Sequence, residues 1–123
     1  MKLHESGENY LETILLLRKK SGYVRAVDVA NELNFSKPSV SRALGILKSA
    51  GFVRIEPSGN ILLTDSGEKR AAAVYERHRI ISCFLVLTLG VSPEVAAADA
   101  CRIEHIISRE SFERIRGYVE QNS

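Results

Sequence analysis

The stretch from residue 24 to residue 50 constrains the fold most, because it reads as two helices joined by a tight turn. The first helix is indicated by apolar residues at helical spacing, namely Ala26, Val27, Val29, Ala30 and Leu33. Asn34-Phe35-Ser36 then interrupts the pattern. A longer apolar stripe follows, made of Val40, Ala43, Leu44, Ile46 and Leu47. A short helix, a turn of about three to four residues and a longer helix form the helix-turn-helix pattern.

The start of the second helix is marked by its capping residues. Ser36 is suited to the N-cap position, and Pro38 lies close to the first helical position. The second helix is therefore expected to run over roughly residues 37–49.

Two short apolar segments follow this helix and read as a β-hairpin. Gly51-Phe52-Val53-Arg54-Ile55-Glu56 and Ile61-Leu62-Leu63 flank the turn-forming segment Pro57-Ser58-Gly59-Asn60. A hairpin directly after a helix-turn-helix is the wing of a winged helix. Most winged helices bind nucleic acids, although a fold alone does not establish a function.

The solvent face of the second helix offers basic and small hydroxyl side chains. Arg and Lys can contact phosphates or guanines, and small residues allow close approach to DNA. Contacts with double-stranded DNA are therefore expected from Ser36, Lys37, Pro38, Ser39, Ser41 and Arg42, and from Arg54 in the wing. The alternative is a two-helix hairpin with a solvated charged face.

The rest of the chain is predicted to be helical. One helix precedes the helix-turn-helix, over roughly residues 5–20. Three follow the wing, over roughly 65–89, 93–107 and 109–121. The fold class is therefore mostly α with a small β-hairpin, with a winged helix-turn-helix domain at residues 1–64 and a helical domain at residues 65–123. Residues 80–119 carry more apolar surface than so small a domain can bury, which favours a two-fold homodimer. The alternative is a monomer with an internal helical core.

Composition narrows the class of protein. The 123 residues carry a net charge of +2, with nine Lys/Arg against six Asp/Glu in residues 1–60 and eight against nine in residues 61–123. The first half can therefore meet nucleic acid more readily than the second. No apolar run is long enough for a membrane span, and Met1-Lys2-Leu3-His4-Glu5 lacks the apolar run of a signal peptide. Two cysteines fit a reducing compartment, so a cytoplasmic protein without a membrane partner is expected.

The segment Asp99-Ala100-Cys101-Arg102-Ile103-Glu104-His105 contains three residue types that bind metals. Cys101, Glu104 and His105 stand at positions i, i+3 and i+4, on one side of a helix. A thiolate, a carboxylate and an imidazole placed in this way can share one divalent first-row metal. The alternative is a small buried Cys beside an ordinary Glu and His on a solvated helix.

With these motifs the chain resembles the metal-dependent transcriptional repressors typified by the diphtheria toxin repressor and the manganese transport regulator. The resemblance spans nearly the whole length and begins at Glu8-Asn9-Tyr10-Leu11-Glu12. Its most specific parts are Leu63-Thr64-Asp65-Ser66-Gly67, Tyr75-Glu76-Arg77-His78-Arg79 and the Cys101-Arg102-Ile103-Glu104-His105 pattern. The iron-type branch has a further SH3-like domain for which these residues leave no room, so the short form is expected.

The resemblance implies a metal site between the winged helix and a helical dimerisation domain. By that resemblance the metal-binding positions are Glu12, His78, Cys101, Glu104 and His105, with Asn9 as a further candidate. Typical members carry Met or Asp at the position of Asn9, and an amide oxygen contributes no charge to a cation. Because a thiolate is a soft ligand, Cys101 favours Fe²⁺ over the harder Mn²⁺ as the activating ion.

We therefore expect a homodimeric, metal-responsive DNA-binding regulator that represses genes of metal homeostasis. One rival is a winged-helix regulator that responds to a small organic ligand or to oxidation of Cys83 or Cys101. Another is a winged helix that binds only protein. A metal-dependent hydrolase is disfavoured, because the chain has no His-Glu-x-x-His pattern, nucleophile elbow or phosphate loop. No organic substrate is expected.

Overall fold

The computed structural model describes residues 5–123, which form six helices and one two-stranded hairpin. The elements are α1 (Glu5–Ser21), α2 (Ala26–Leu33), α3 (Lys37–Ser49), β1 (Val53–Ile55), β2 (Ile61–Leu63), α4 (Asp65–Leu89), α5 (Pro93–Ile103) and α6 (Arg109–Asn122). The expected fold class is therefore confirmed. Residues 1–4 lie outside the described range. They belong to the segment from which we expected no signal peptide. The chain divides into a first unit ending at Ala72 and a second unit over Ala73–Ser123.

The first unit is built on the core of the helix-turn-helix. Its fully buried side chains include Leu11 and Ile14 of α1, Val29 of α2, and Val40 and Leu47 of α3. These positions recur at helical spacing, so each helix buries one apolar stripe and leaves its polar face in water. Burial also raises the pKa of the Tyr10 hydroxyl in this core above its usual value.

The turn between α2 and α3 has the predicted chemistry. Asn34 ends α2 in the left-handed conformation (φ 57°), and its N–H donates to the Ala30 carbonyl. Asn tolerates this conformation better than most residues. Ser36 then caps α3, because its hydroxyl accepts from the Ser39 N–H at 3.3 Å. The helix-turn-helix therefore has a defined end for α2 and a defined start for α3.

The hairpin is antiparallel and follows α3 directly. Val53 pairs with Leu63, Arg54 with Leu62 and Ile55 with Ile61. Gly59 in the connecting turn has φ 93°, a conformation that side-chain-bearing residues rarely adopt. The predicted wing is therefore present, with Arg54 exposed at the centre of β1.

The start of α4 contacts the segment that directly follows α3. The Thr64 hydroxyl accepts from the Gly67 N–H at 3.1 Å and donates to the Gly51 carbonyl at 2.6 Å. A Cβ on Gly67 would lie 2.0 Å from the Phe52 carbonyl oxygen, so only glycine fits without a backbone shift. This contact explains physically why Thr and Gly stand at these two positions after the wing.

The second unit packs the remainder of α4 with α5 and α6. Ile81, Ala100 and Phe112 are its buried apolar centre. Arg116 of α6 donates to Glu76 of α4 at 2.9 Å, and this hydrogen bond raises the pKa of the Arg116 guanidinium above its usual value. The guanidinium also lies over the Phe112 ring, 5.0 Å from its centroid. Larger apolar side chains of this unit remain exposed, namely Val86, Leu87, Leu89, Val95, Ile106 and Tyr118.

One predicted boundary is wrong. The helix expected to continue to about residue 107 ends at Ile103. The Ile106 and Ile107 N–H groups both donate to the Ile103 carbonyl, so the chain turns there instead of continuing as a helix. None of the helices between residues 5 and 123 combines the length and apolar character that a membrane crossing requires.

Candidate metal centre and nucleic-acid interface

Glu104 is the most deeply buried ionisable side chain of the second unit. It is the C-cap of α5, and its N–H donates to the Ala100 carbonyl at 2.9 Å. Its relative exposure is 0%. An ionised carboxylate in such a position needs charge compensation or several hydrogen bonds, because burial removes its hydration.

Two histidines lie against the two oxygens of this carboxylate. His78 Nδ1, from α4, is 3.0 Å from Glu104 Oε2. His105 Nε2, from the turn after α5, is 3.2 Å from Glu104 Oε1. The three side chains are called the Glu104 cluster below. One carboxylate with two imidazoles is a donor set that suits divalent first-row metals, so the residues present fit such an ion.

The remaining predicted ligands occupy different settings. Cys101 lies on the last turn of α5 and is exposed. Glu12 and Asn9 belong to α1 in the first unit, where Glu12 is buried and Asn9 is half-buried. Within the second unit the contacts therefore join Glu104 with His78 and His105, and a metal-binding role for each of the six predicted ligands stays a prediction.

The predicted DNA contacts lie on exposed surface of the first unit. Exposed residues along α3 and in the wing include every predicted contact, namely Ser36, Lys37, Pro38, Ser39, Ser41, Arg42 and Arg54. The start of α3 is well ordered by its cap, since the Ser36 and Ser39 hydroxyls are 2.9 Å apart. Small side chains at this end leave space for a groove wall or a phosphate.

A groove runs between the start of α2, α3 and the wing. Its volume is about 690 Å³, and its basic lining residues are Arg25, Lys37 and Lys48. Among the described residues that line it there is no acidic one. We call this surface the basic groove. It suits a polyanion, because unopposed cations attract phosphates and release their counterions.

Arg25 and Gly45 also line the basic groove and were not among the predicted DNA contacts. Arg25 precedes α2, and its N–H donates to the Asp28 carboxylate at 2.8 Å. Gly45 lies in the middle of α3, with open space where a Cβ would lie. The signal for Arg25 was a basic residue beside a predicted helix start. Gly45 had a weaker signal, because a helical glycine is not diagnostic of a binding surface.

A winged helix joined to a helical unit with a buried carboxylate–imidazole cluster defines a class, the metal-responsive DNA-binding regulators. Comparison with known families agrees. The family described as "Iron dependent repressor, N-terminal DNA binding domain" matches residues 2–61. Residues 64–122 match "Iron dependent repressor, metal binding and dimerisation domain". The chain belongs to the iron-dependent repressor family.

Individual relatives include regulators named for different metals. The transcriptional regulator MntR of Salmonella typhimurium is 40% identical over 115 residues, covering 94% of this chain and 73% of that protein. The iron-dependent repressor IdeR of Mycobacterium tuberculosis is 31% identical over 114 residues, covering 93% of this chain and 50% of that protein. The structure of the manganese regulator SloR superposes with a TM-score of 0.82 at 26% identity, covering 98% of this chain.

These relatives fix the coarse function. The chain is a metal-dependent transcriptional regulator of the MntR and IdeR type, with a DNA-binding and a dimerisation domain. It spans about half the length of the solved SloR structure, 55% of that chain. The resemblance drawn from the sequence is thereby confirmed at the level of the family.

Proposed function

We propose that this chain is a homodimeric repressor whose affinity for an operator is raised by one divalent transition metal, Fe²⁺ more effectively than Mn²⁺. The Glu104 cluster is the observation that carries the proposal. A fully buried carboxylate with imidazole nitrogens 3.0 Å and 3.2 Å from its two oxygens brings three metal-binding side chains together. A divalent transition metal bound there would take the carboxylate and both imidazoles as ligands and add positive charge beside the buried carboxylate.

The protein residues have separate tasks in this proposal. Glu104 supplies the negative charge, and it is held in place by its backbone bond to Ala100. His78 and His105 supply neutral nitrogen ligands from α4 and from the turn after α5. Binding in this way ties two segments of the second unit together, so the ion stabilises one arrangement of them.

The proposed ligand set also includes Cys101, Glu12 and Asn9. Cys101 stands one helical turn before Glu104, the spacing at which two side chains of a helix share a face. Its thiolate would bind Fe²⁺, Co²⁺ or Zn²⁺ better than Mn²⁺. Glu12 and Asn9 are included because of the family resemblance, Glu12 as a second carboxylate and Asn9 as a neutral oxygen donor.

DNA binding is proposed to use α3 and the wing. The N-terminal part of α3 enters the major groove, where Ser36, Lys37, Ser39, Ser41 and Arg42 meet bases or phosphates. Arg54 in the wing meets the phosphate backbone. The support is the exposure of these side chains and the positive lining of the basic groove.

Dimerisation is proposed to follow from the exposed apolar residues of the second unit. Leu89 and Ile106 are 68% and 73% exposed, an unfavourable setting for large aliphatic side chains when several lie in one small unit. A two-fold dimer would place two α3 helices at a fixed spacing, which has to match half-sites separated by whole helical turns. The metal acts on that spacing, and its effect is limited to its differential affinity for the competent arrangement. We propose that the regulator acts in the cytoplasm, on genes of metal homeostasis.

The direct test is operator binding by the purified chain with a chelator and then with single metals restored. A labelled candidate operator duplex is titrated in chelator, and then with Fe²⁺ under anaerobic conditions, Mn²⁺, Co²⁺ and Zn²⁺. Binding should be weak in chelator and tight with metal, with Fe²⁺ effective at lower concentration than Mn²⁺. Equal affinity in chelator and in every metal would contradict the proposal. If such metal-independent binding disappeared on thiol oxidation, the redox alternative would be supported.

A further inference from the structure

The turn at the tip of the wing contains one buried residue among exposed ones. Glu56, Pro57 and Ser58 are exposed, whereas Asn60 is only 8% exposed. A buried amide group has two donors and two acceptor sites to satisfy, so its partners define what it holds in place.

The Asn60 side chain bonds in two directions. Its Oδ1 accepts from the Val24 N–H at 3.1 Å, in the connection between α1 and α2. Its Nδ2 donates to Glu56 Oε1 at 2.8 Å, across the wing turn. One amide therefore closes the turn and attaches it to a segment more than thirty residues earlier in the chain.

Neighbouring bonds run along the same edge of the wing. The Ile61 N–H donates to the Val24 carbonyl at 2.8 Å, so a backbone bond also joins β2 to the connection between α1 and α2. Arg18 Nη1 donates to the Ile61 carbonyl at 2.8 Å, and the Tyr23 hydroxyl donates to the Ser58 carbonyl at 3.3 Å. The two Asn60 bonds join both the turn and the α1–α2 connection through a single buried side chain.

We infer that Asn60 is a positioning residue for DNA binding, which sets the wing so that Arg54 reaches the operator backbone while α3 occupies the major groove. The inference rests on the proposed function, since the wing has to meet DNA for its position to matter. Asn60 itself touches no DNA in this account. It acts through its hydrogen bonds to Val24 and Glu56. When these bonds are lost, Arg54 remains in the wing but no longer reaches the operator backbone.

A double-mutant cycle separates positioning from simple loss of stability. Asn60→Ala removes the amide without changing the charge, and Arg54→Ala removes the wing cation. Each single variant should weaken metal-activated operator binding by about tenfold, the effect of losing one buried or charge-assisted hydrogen bond. The double variant should be little worse than either single variant, because a misplaced Arg54 has no contact left to lose. A double variant weakened by the product of the two single effects would overturn the inference.

A polarity swap keeps the test decisive if Asn60→Ala folds poorly. Asn60→Asp alone places two carboxylates at the position of the 2.8 Å bond and should weaken binding. Asn60→Asp with Glu56→Gln restores a donor and an acceptor, and it has the same net charge as the natural pair. Operator affinity within about twofold of the natural chain is expected for this double variant and for Glu56→Gln alone. Failure of the double variant to recover would contradict a role for the bond.

Amide hydrogen exchange measured without DNA separates the anchoring of the wing by Asn60 from the effect of Asn60 on DNA binding. In Asn60→Ala the Val24 and Ile61 amides should exchange faster, while the Leu47 amide in α3 should keep its protection. Unchanged exchange at Val24 and Ile61 would overturn the anchoring role. If the natural chain bound no duplex with any metal, the proposed function would fall and the DNA-positioning role with it, whereas faster exchange at Val24 and Ile61 would still establish Asn60 as the anchor of the wing.

Discussion

The basic groove of the first unit and the Glu104 cluster of the second unit hold their charges in opposite settings. Arg25, Lys37 and Lys48 are exposed and face water. Glu104 is fully buried, and imidazole nitrogens approach both of its oxygens. Exposed charges act nearly independently and are screened by salt, whereas buried ones depend on every partner.

This difference leads to different expectations for mutations. Changes in the basic groove should give graded, salt-dependent losses of DNA affinity, since each cation releases its own share of counterions. Changes in the Glu104 cluster should remove the metal response as a unit, because one missing ligand leaves the others without their common partner.

The largest effect is expected for Glu104→Gln. The amide keeps the shape of the Glu104 side chain but removes its negative charge, which balances the charge of the bound cation. The affinity for metal should therefore fall by about a hundredfold or more. Glu94→Gln is the matched control, because Glu94 is an exposed acid in the first turn of the same helix. Calorimetric metal titrations should find the control unchanged. Equal metal affinity for Glu104→Gln and the natural chain would remove the basis for the metal centre.

Gly67→Ala should affect stability without belonging to either charged region. The new Cβ would lie 2.0 Å from the Phe52 carbonyl oxygen, so backbone has to shift, at a cost of about 2–3 kcal/mol in the free energy of unfolding. Gly117→Ala is the control, since apart from its chain neighbours and its own helix backbone nothing lies within 4 Å of its Cβ position in α6. That variant should be stabilised by about 0.5–1 kcal/mol. Urea denaturation measures the free energy of unfolding of both variants. Equal changes in the two would show that the close approach of Gly67 to Phe52 does not destabilise the alanine variant.

Arg42→Ala and Lys37→Ala test the DNA side. Arg42→Ala should weaken operator binding by about 1–3 kcal/mol if Arg42 reads a guanine, and by less if it meets only phosphate. Lys37→Ala should reduce the slope of the salt dependence by about one. Both variants should bind metal as the natural chain does. Unchanged operator affinity in the combined variant would exclude this placement of α3.

Cys101→Glu should give the smallest change, a shift in metal preference. Replacing a thiolate by a carboxylate hardens the ligand set, so the ratio of Fe²⁺ to Mn²⁺ response should move towards Mn²⁺. Operator binding is titrated against each metal for both proteins, and Cys83→Ser serves as the control for loss of a thiol. If the natural chain and Cys101→Glu respond alike to both metals, Cys101 does not set the preference.

Much of the fold could be predicted from local signals. The cap Ser36 acts within a few residues of itself, and its hydroxyl accepts the Ser39 N–H as its position predicted. The wing followed from a turn-rich segment between two apolar runs. Such features depend on short-range chemistry, so one sequence was sufficient to place them.

The parts that the sequence did not reveal depend on distant contacts. The apolar periodicity predicted that α5 continues beyond Ile103. The chain turns there instead, and Glu104 is the C-cap of the helix. The family resemblance placed His78 and Glu104 in one metal site, but their direct contact joins residues 26 apart and nothing local specifies it. Asn60 looked like a turn residue, and its bond to Val24 emerged only when the two segments were brought together. Burial of a polar side chain is set by tertiary packing, which periodicity does not encode.

The central claim is that the Glu104 cluster links metal binding to DNA binding. It is tested most directly by the operator affinity of Glu104→Gln, measured in chelator and at a metal concentration that saturates the natural chain. The natural chain should bind the operator far more tightly with metal than in chelator. Glu104→Gln should bind equally weakly in both conditions, with its fold and its salt-dependent, non-specific DNA binding retained. A variant that still gained the natural increase in operator affinity on metal addition would contradict the account.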